Sequence, residues 1–191
     1  MRPSSNWTIP NVITIFRIVL VPVFVMMFID QRFGAALLIF LIAGVSDGVD
    51  GFLARVLKQR SQLGALLDPI ADKLLLITAY FCLGFVGLLP SWLAVLVISR
   101  DMMIIGGMAL LHFWGVDVRS RIHPTWLSKF NTCGQIVLIV AVLTKYSFAL
   151  PWTGLIQLLV LTVTMSTVLS GAHYIYIGLG HFPGEAEKRE E

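Results

Sequence analysis

Four aspartates, Asp47, Asp50, Asp68 and Asp72, fall within 26 residues of a chain that is otherwise almost entirely apolar. An ionised carboxylate in a low-dielectric setting is costly unless a cation or hydrogen bonds compensate it. The spacing is orderly: the first pair lies three positions apart and the second four, so on helices each pair shares one face. Two pairs of oxygen ligands facing each other describe a site for hard divalent cations. All-oxygen ligation with no His or Cys nearby favours Mg²⁺ or Mn²⁺ over zinc, although ligand type alone also admits calcium. Two cations held by four carboxylates suit phosphoryl chemistry, in which they neutralise a pyrophosphate, orient the attacked phosphorus and stabilise the leaving oxygen. Gly48 and Gly51 leave the backbone open beside the acids, and Arg55, one turn past Gly51, can place a guanidinium on a phosphate. The plainer alternative is that the acids only pair with Arg55, Lys58 and Lys73. Four acids at regular helical spacing exceed what packing requires.

The elements that must carry these residues follow from composition. The chain has 191 residues, 57% of them hydrophobic and 13% charged, with a mean hydropathy of +0.85. A water-soluble domain carries roughly twice that share of charge, so an integral membrane protein is expected. Apolar runs at about 12–29, 35–55, 66–86, 91–113, 127–145 and 153–177 predict an all-α, polytopic bundle of about six transmembrane helices. The second and third would carry their aspartate pairs at the ends facing the shared polar loop 56–63, near one membrane interface. Arg2, Arg55, Lys58, Arg60, Arg119, Arg121, Lys129, Lys188 and Arg189 then fall on one side, against Arg32 and Lys145 on the other. The positive-inside rule predicts that both termini and the acidic loop are cytoplasmic.

One membrane domain over 1–180 is expected, with a charged tail, 181–191, that reads as disordered. Residues 1–8 are polar and no cleavable signal peptide is expected. The net charge of +3 suits anionic headgroups, and no nucleic-acid partner is expected. Cys82 and Cys133 read as buried free thiols. His112, His123, His173 and His181 are isolated and read as satisfied or interfacial side chains. Trp7, Trp92, Trp114, Trp126 and Trp152 fall near helix ends, as interfacial anchors do.

The string Asp47-x2-Asp50-Gly51-x2-Ala54-Arg55-x8-Gly64-x3-Asp68-x3-Asp72 matches every position of the CDP-alcohol phosphatidyltransferase signature. Pro10-Asn11-x2-Thr14-x2-Arg17, followed by Pro22, resembles the first helix of the phosphatidylglycerol-phosphate and cardiolipin synthase branch, and the similarity covers roughly residues 7 to 145. The resemblance implies a six-helix membrane fold, usually a homodimer, with a polar cavity open to the cytoplasm of a bacterial inner membrane or the equivalent organelle face. By position, it implies that Asp47, Asp50, Asp68 and Asp72 bind two divalent cations. Asp72 would double as general base, and Gly51, Ala54, Arg55 and Gly64 would line the cytidine nucleotide site. The expected chemistry is direct in-line transfer of the phosphatidyl group of CDP-diacylglycerol to an alcohol, with CMP leaving.

The acceptor must be read from the second half of the chain. Arg100 and Asp101 place two charges in the fourth apolar run, either paired with each other or, for Arg100, turned toward an acceptor phosphate. Arg119 and Arg121 fit simple positive-inside placement. Lys129 belongs to Pro124-Thr125-x2-Ser128-Lys129-x-Asn131-Thr132-x2-Gln135. Relatives that use glycerol phosphate typically show a second lysine where Asn131 stands, and Arg-Glu in place of Arg100-Asp101. Both departures resemble the eukaryotic type of cardiolipin synthase. Losing that lysine suits a singly charged phosphodiester such as phosphatidylglycerol, whereas a second lysine suits a phosphomonoester such as glycerol 3-phosphate. Arg100, Lys129 and Asn131 are therefore the expected acceptor-binding residues, for a glycerol-type acceptor. A cation carrier is the rival from another class. It fits less well, since the acids lie near one interface beside a Gly-x2-Ala-Arg segment, whereas transport sites tend toward the midplane.

Overall fold

A computed structural model describes residues 9–56, 62–113 and 126–179, all but their short connections helical. Six helices follow in order: α1 (Ile9–Ile29), α2 (Phe33–Val56), α3 (Gln62–Phe85), α4 (Ser91–Phe113), α5 (Trp126–Phe148) and α6 (Thr153–Leu179). No strand occurs among the described residues, and each helix falls on one of the six apolar runs. By length and composition, Val12–Ile29, Trp126–Phe148 and Thr153–Ile175 are long and apolar enough to cross a membrane. The described apolar stretches of α2 and α3 are shorter, Phe33–Ser46 and Lys73–Phe85, ending where the aspartate-bearing segments begin.

Three helix ends close in the same way, each through one residue in the left-handed region. Gln31 (φ 59°), Gly87 (φ 79°) and Ala149 (φ 52°) occupy the turn positions. Backbone N–H groups of Arg32, Leu88 and Leu150 then reach five residues back to the carbonyls of Met27, Leu83 and Lys145, at 2.9, 2.9 and 3.0 Å. These bonds satisfy carbonyls that the last helical turn would leave unpaired.

The helices divide into two compact units, residues 1–89 with 139–152, and residues 90–138 with 153–191. In the first, α1 packs on α2 and α3. Phe24 stacks on Phe28 and meets Phe40 at a tilt, with ring centroids 6.0 and 6.2 Å apart, and Phe33 bridges Phe28 and Tyr146 at 5.6 and 5.7 Å. Gly34 allows α2 close to α5 here, since a Cβ on it would lie 2.9 Å from Ser147 Oγ. In the second unit α4 packs on α6, with Leu93, Val97, Leu138 and Val163 fully buried.

Large apolar side chains remain exposed in stripes, including Val19 and Met26 on α1 and Leu158, Leu161, Met165 and Leu169 on α6. Such stripes would drive aggregation in water, whereas hydrocarbon solvates them without cost. Cys133 belongs to this outer surface, so the expectation of two buried thiols holds for Cys82 alone. The reason is register. Asn131 and Gln135, four apart on α5, both point inward, which turns the residue midway between them out.

Candidate active-site residues

Helical backbone runs continuously through Asp47 and Asp50 in α2 and through Asp68 and Asp72 in α3. Spacings of three and four in a helix place each pair on one face, so the backbone meets the first condition for a pair of two-carboxylate clamps. The side chains of these four aspartates and of Ala54 and Arg55 lie outside the described residues, as do those around Gly51 and Gly64. Among the described residues no cluster of three metal-ligating side chains occurs.

The end of α2 that carries Asp47 and Asp50 is accompanied by the start of α1. Val12, Ile13 and Phe16 line one groove with Leu41, Ile42, Val45 and Ser46, which sets the two helices antiparallel in this register. Thr14 and Arg17 are buried on the inner side of α1 at the same level. Arg17 is 1% exposed, a cation buried within the first unit. Its signal in the sequence is an arginine in the middle of an apolar run, three residues after a threonine, a pairing that hydrocarbon does not tolerate without a partner.

The second unit holds a buried polar network in two tiers. In the first, the Arg100 guanidinium donates to Asp101 Oδ1 at 2.7 Å, to Ser128 Oγ of α5 at 2.8 Å and to Ser170 Oγ of α6 at 2.5 Å. Both charged side chains are buried, and the guanidinium lies 5.9 Å from the centre of the Tyr174 ring. Gly171 packs against the arginine stem, where a Cβ would sit in ordinary contact, 3.8 Å from Arg100 Cγ. A planar fork with several donors is the group that can tie three helices at once.

The second tier lies one turn away along α5 and α6. Asn131, fully buried, accepts through Oδ1 from Ser166 Oγ at 2.6 Å and Thr167 Oγ1 at 2.9 Å. Its Nδ2 has no hydrogen-bond partner among the described residues. Gln135, one turn further along α5, is fully buried as well.

Of the three residues expected at the acceptor, Arg100 and Asn131 thus enter two separate buried clusters one turn apart, while Lys129 enters neither. Lys129 is exposed, with its Nζ 5.3 Å from the centre of the Trp126 ring. Trp126 and Trp92 are themselves exposed near the first turns of α5 and α4. Ser166, Thr167 and Ser170 carry no signal of their own in the sequence. Serine and threonine in an apolar helix commonly bond back to their own backbone, so their types do not betray a partner on another helix.

The helices are apolar enough for a membrane, with paired acids on α2 and α3 in one unit and buried polar clusters in the other. Residues 7–169 match the CDP-alcohol phosphatidyltransferase family, and the chain belongs to that family. It is 34% identical over 189 residues to the human cardiolipin synthase (CMP-forming), a match covering 92% of this chain and 63% of the human one. The rat enzyme of the same name is 33% identical over 189 residues with the same coverage. The chain therefore spans less than two thirds of the length of these relatives. A CDP-diacylglycerol–glycerol-3-phosphate 3-phosphatidyltransferase of Haemophilus influenzae is 33% identical over 185 residues, covering 92% of this chain and 95% of its own length.

Proposed function

We propose that this protein transfers the phosphatidyl group of CDP-diacylglycerol to a hydroxyl of phosphatidylglycerol, releasing CMP and forming cardiolipin. Family membership supports the donor half of the reaction. The observation that carries the acceptor is Asn131, a neutral amide buried on α5 and held by two hydroxyls of α6. An amide N–H can meet a phosphodiester oxygen of single charge, and it lacks the full positive charge that a dianionic phosphomonoester calls for.

The proposed site rests on Asp47, Asp50, Asp68 and Asp72. Their donor chemistry and helical register fit a pair of Mg²⁺ or Mn²⁺ ions. When bound, such ions neutralise pyrophosphate charge and favour departure of the nucleotide oxygen. Asp72 takes the proton of the acceptor hydroxyl as that oxygen bonds to the diacylglycerol phosphorus, because an alcohol is a poor nucleophile until a base removes its proton. The bond from phosphorus to CMP breaks in the same step, with inversion. Arg55 sets a guanidinium against the nucleotide phosphates, while Gly51, Ala54 and Gly64 leave space for the cytidine. The protein lies in a membrane with the acids and both termini on the cytoplasmic side, acting as a homodimer.

A second reading takes glycerol 3-phosphate as acceptor, and the Haemophilus relative, matched over nearly its whole length, favours it. Purified protein with Mg²⁺ and CDP-diacylglycerol, offered phosphatidylglycerol or glycerol 3-phosphate, separates the two by CMP release and lipid product. Cardiolipin formed only with phosphatidylglycerol is the expected result. Phosphatidylglycerol phosphate formed from glycerol 3-phosphate would overturn the acceptor while leaving the transferase chemistry intact.

A further inference from the structure

We infer that Ser166 and Thr167 on α6 are positioning residues that select the acceptor through Asn131. The inference rests on the reading that Asn131 meets the acceptor, and it extends the selecting machinery to a helix that carries no recognisable motif.

A side-chain amide offers an acceptor oxygen at one end and two N–H donors at the other. Which end faces a ligand depends on what holds the opposite end. Here two hydroxyls converge on Asn131 Oδ1, from Ser166 at 2.6 Å and from Thr167 at 2.9 Å. Two donors use both lone pairs of that oxygen and turn Nδ2 away from the pair. Nδ2 is buried and without a partner among the described residues. A buried amide donor with no acceptor costs free energy in every folded molecule, and such an exception calls for a cause. A ligand that supplies an oxygen is one, and a phosphodiester or hydroxyl oxygen of the acceptor has the required chemistry.

The behaviour of neighbouring hydroxyls on α6 supports a dedicated role. Thr162 and Thr164 donate to carbonyls four residues back, those of Leu158 and Val160, at 2.9 and 2.7 Å. That is the default for a hydroxyl in an apolar helix. Ser166 also lies 3.1 Å from the Val163 carbonyl, yet its shorter contact is to Asn131. Thr167 therefore turns from its own helix to a side chain of α5, and Ser166 adds its shorter contact there while staying within reach of the Val163 carbonyl. The result is a neutral donor held in one orientation, suited to an oxygen of low charge.

The test is a kinetic cycle on the purified full chain in lipid–detergent micelles, with phosphatidylglycerol varied against CDP-diacylglycerol. Ser166→Ala combined with Thr167→Val should raise the KM for phosphatidylglycerol about tenfold, the loss of one oriented hydrogen bond. The kcat and the KM for CDP-diacylglycerol should stay within about twofold. Thr167→Ser, which keeps the hydroxyl, should match the parent. In an Asn131→Ala background the double substitution should add no further increase in KM, because both routes remove the same oriented donor. Equal penalties with and without Asn131, or a loss shared by both substrates, would overturn the inference. Should the double variant not fold, Thr167→Val set against Thr167→Ser reads the same split. If the unsubstituted protein consumes glycerol 3-phosphate instead, the acceptor reading has failed. The cycle is then run on that acceptor, where coupling to Asn131 supports the positioning role and additivity overturns it.

Discussion

Arg100 donates to Asp101 Oδ1 across 2.7 Å although the two residues are adjacent on α4 and both side chains are buried. An ion pair between chain neighbours is an unusual use of a helix, because consecutive side chains diverge by about 100° around its axis. It is sustained by what lies beyond it: the same guanidinium reaches Ser128 and Ser170 on the two helices opposite. Removing one partner would strand a buried charge. Asp101→Ala should therefore lower stability by about 3–5 kcal/mol, read from thermal unfolding in detergent micelles. Arg100→Lys should be destabilising as well, since a single ammonium cannot reproduce the planar fork. Unchanged melting in both variants would remove the network from the account of the fold.

Asp72 is assigned the proton and a share of the cations, so its amide variant separates chemistry from folding. Asp72→Asn keeps shape and removes the base. General-base removal commonly costs about 10²–10⁴-fold in rate, and a fall of at least that size in CMP release is expected, with CDP-diacylglycerol still bound. Chelation of divalent ions should abolish turnover in the parent, and added Mg²⁺ or Mn²⁺ should restore it. Near-normal turnover by the variant would end the assignment.

Lys129 makes the opposite case. It is exposed at the start of α5 and its contact is with the Trp126 ring, an arrangement worth about 0.5–1 kcal/mol at an exposed site. Lys129→Ala should leave the melting temperature nearly unchanged and raise the KM for the anionic acceptor several-fold. That increase should shrink as salt is added, because exposed charges are screened. A KM that stays constant at all salt concentrations would confine Lys129 to anchoring at the lipid headgroups.

How much of this was legible in the residues depends on the kind of signal. All six helices follow from apolar runs broken by short polar or proline-bearing segments. The α4 limits, Ser91–Phe113, coincide with the run expected there, because Pro90 immediately precedes it. The acidic pairs stand out for a related reason, since charges in an apolar chain call for a partner, and the backbone adds that each pair lies within one helix. Ser166 and Thr167 are not legible, because a hydroxyl can satisfy itself on its own helix and only the position of Asn131 shows that these also reach across to α5. Cys133 was hidden by composition. An apolar neighbourhood in a membrane protein faces hydrocarbon as readily as core, and only the inward register of Asn131 and Gln135 decides between them.

The three left-handed helix ends give the last prediction. Gly87 takes its φ of 79° without strain, whereas Ala149 holds φ 52° with a Cβ that crowds the backbone. For an L-residue that conformation costs about 1–2 kcal/mol, and part of it is offset because glycine loses more chain entropy on folding. The bond from Leu150 N–H to the Lys145 carbonyl, at 3.0 Å, does not involve the side chain, so glycine can replace Ala149 without disturbing the turn. Ala149→Gly should then raise stability by about 0.5–1 kcal/mol, while Gly87→Ala should lower it by about 1 kcal/mol. Thermal unfolding of the two variants under one micelle condition checks the pair. The reversed pair of shifts, Ala149→Gly destabilising and Gly87→Ala stabilising, would show that chain entropy, and not left-handed strain, controls these turns.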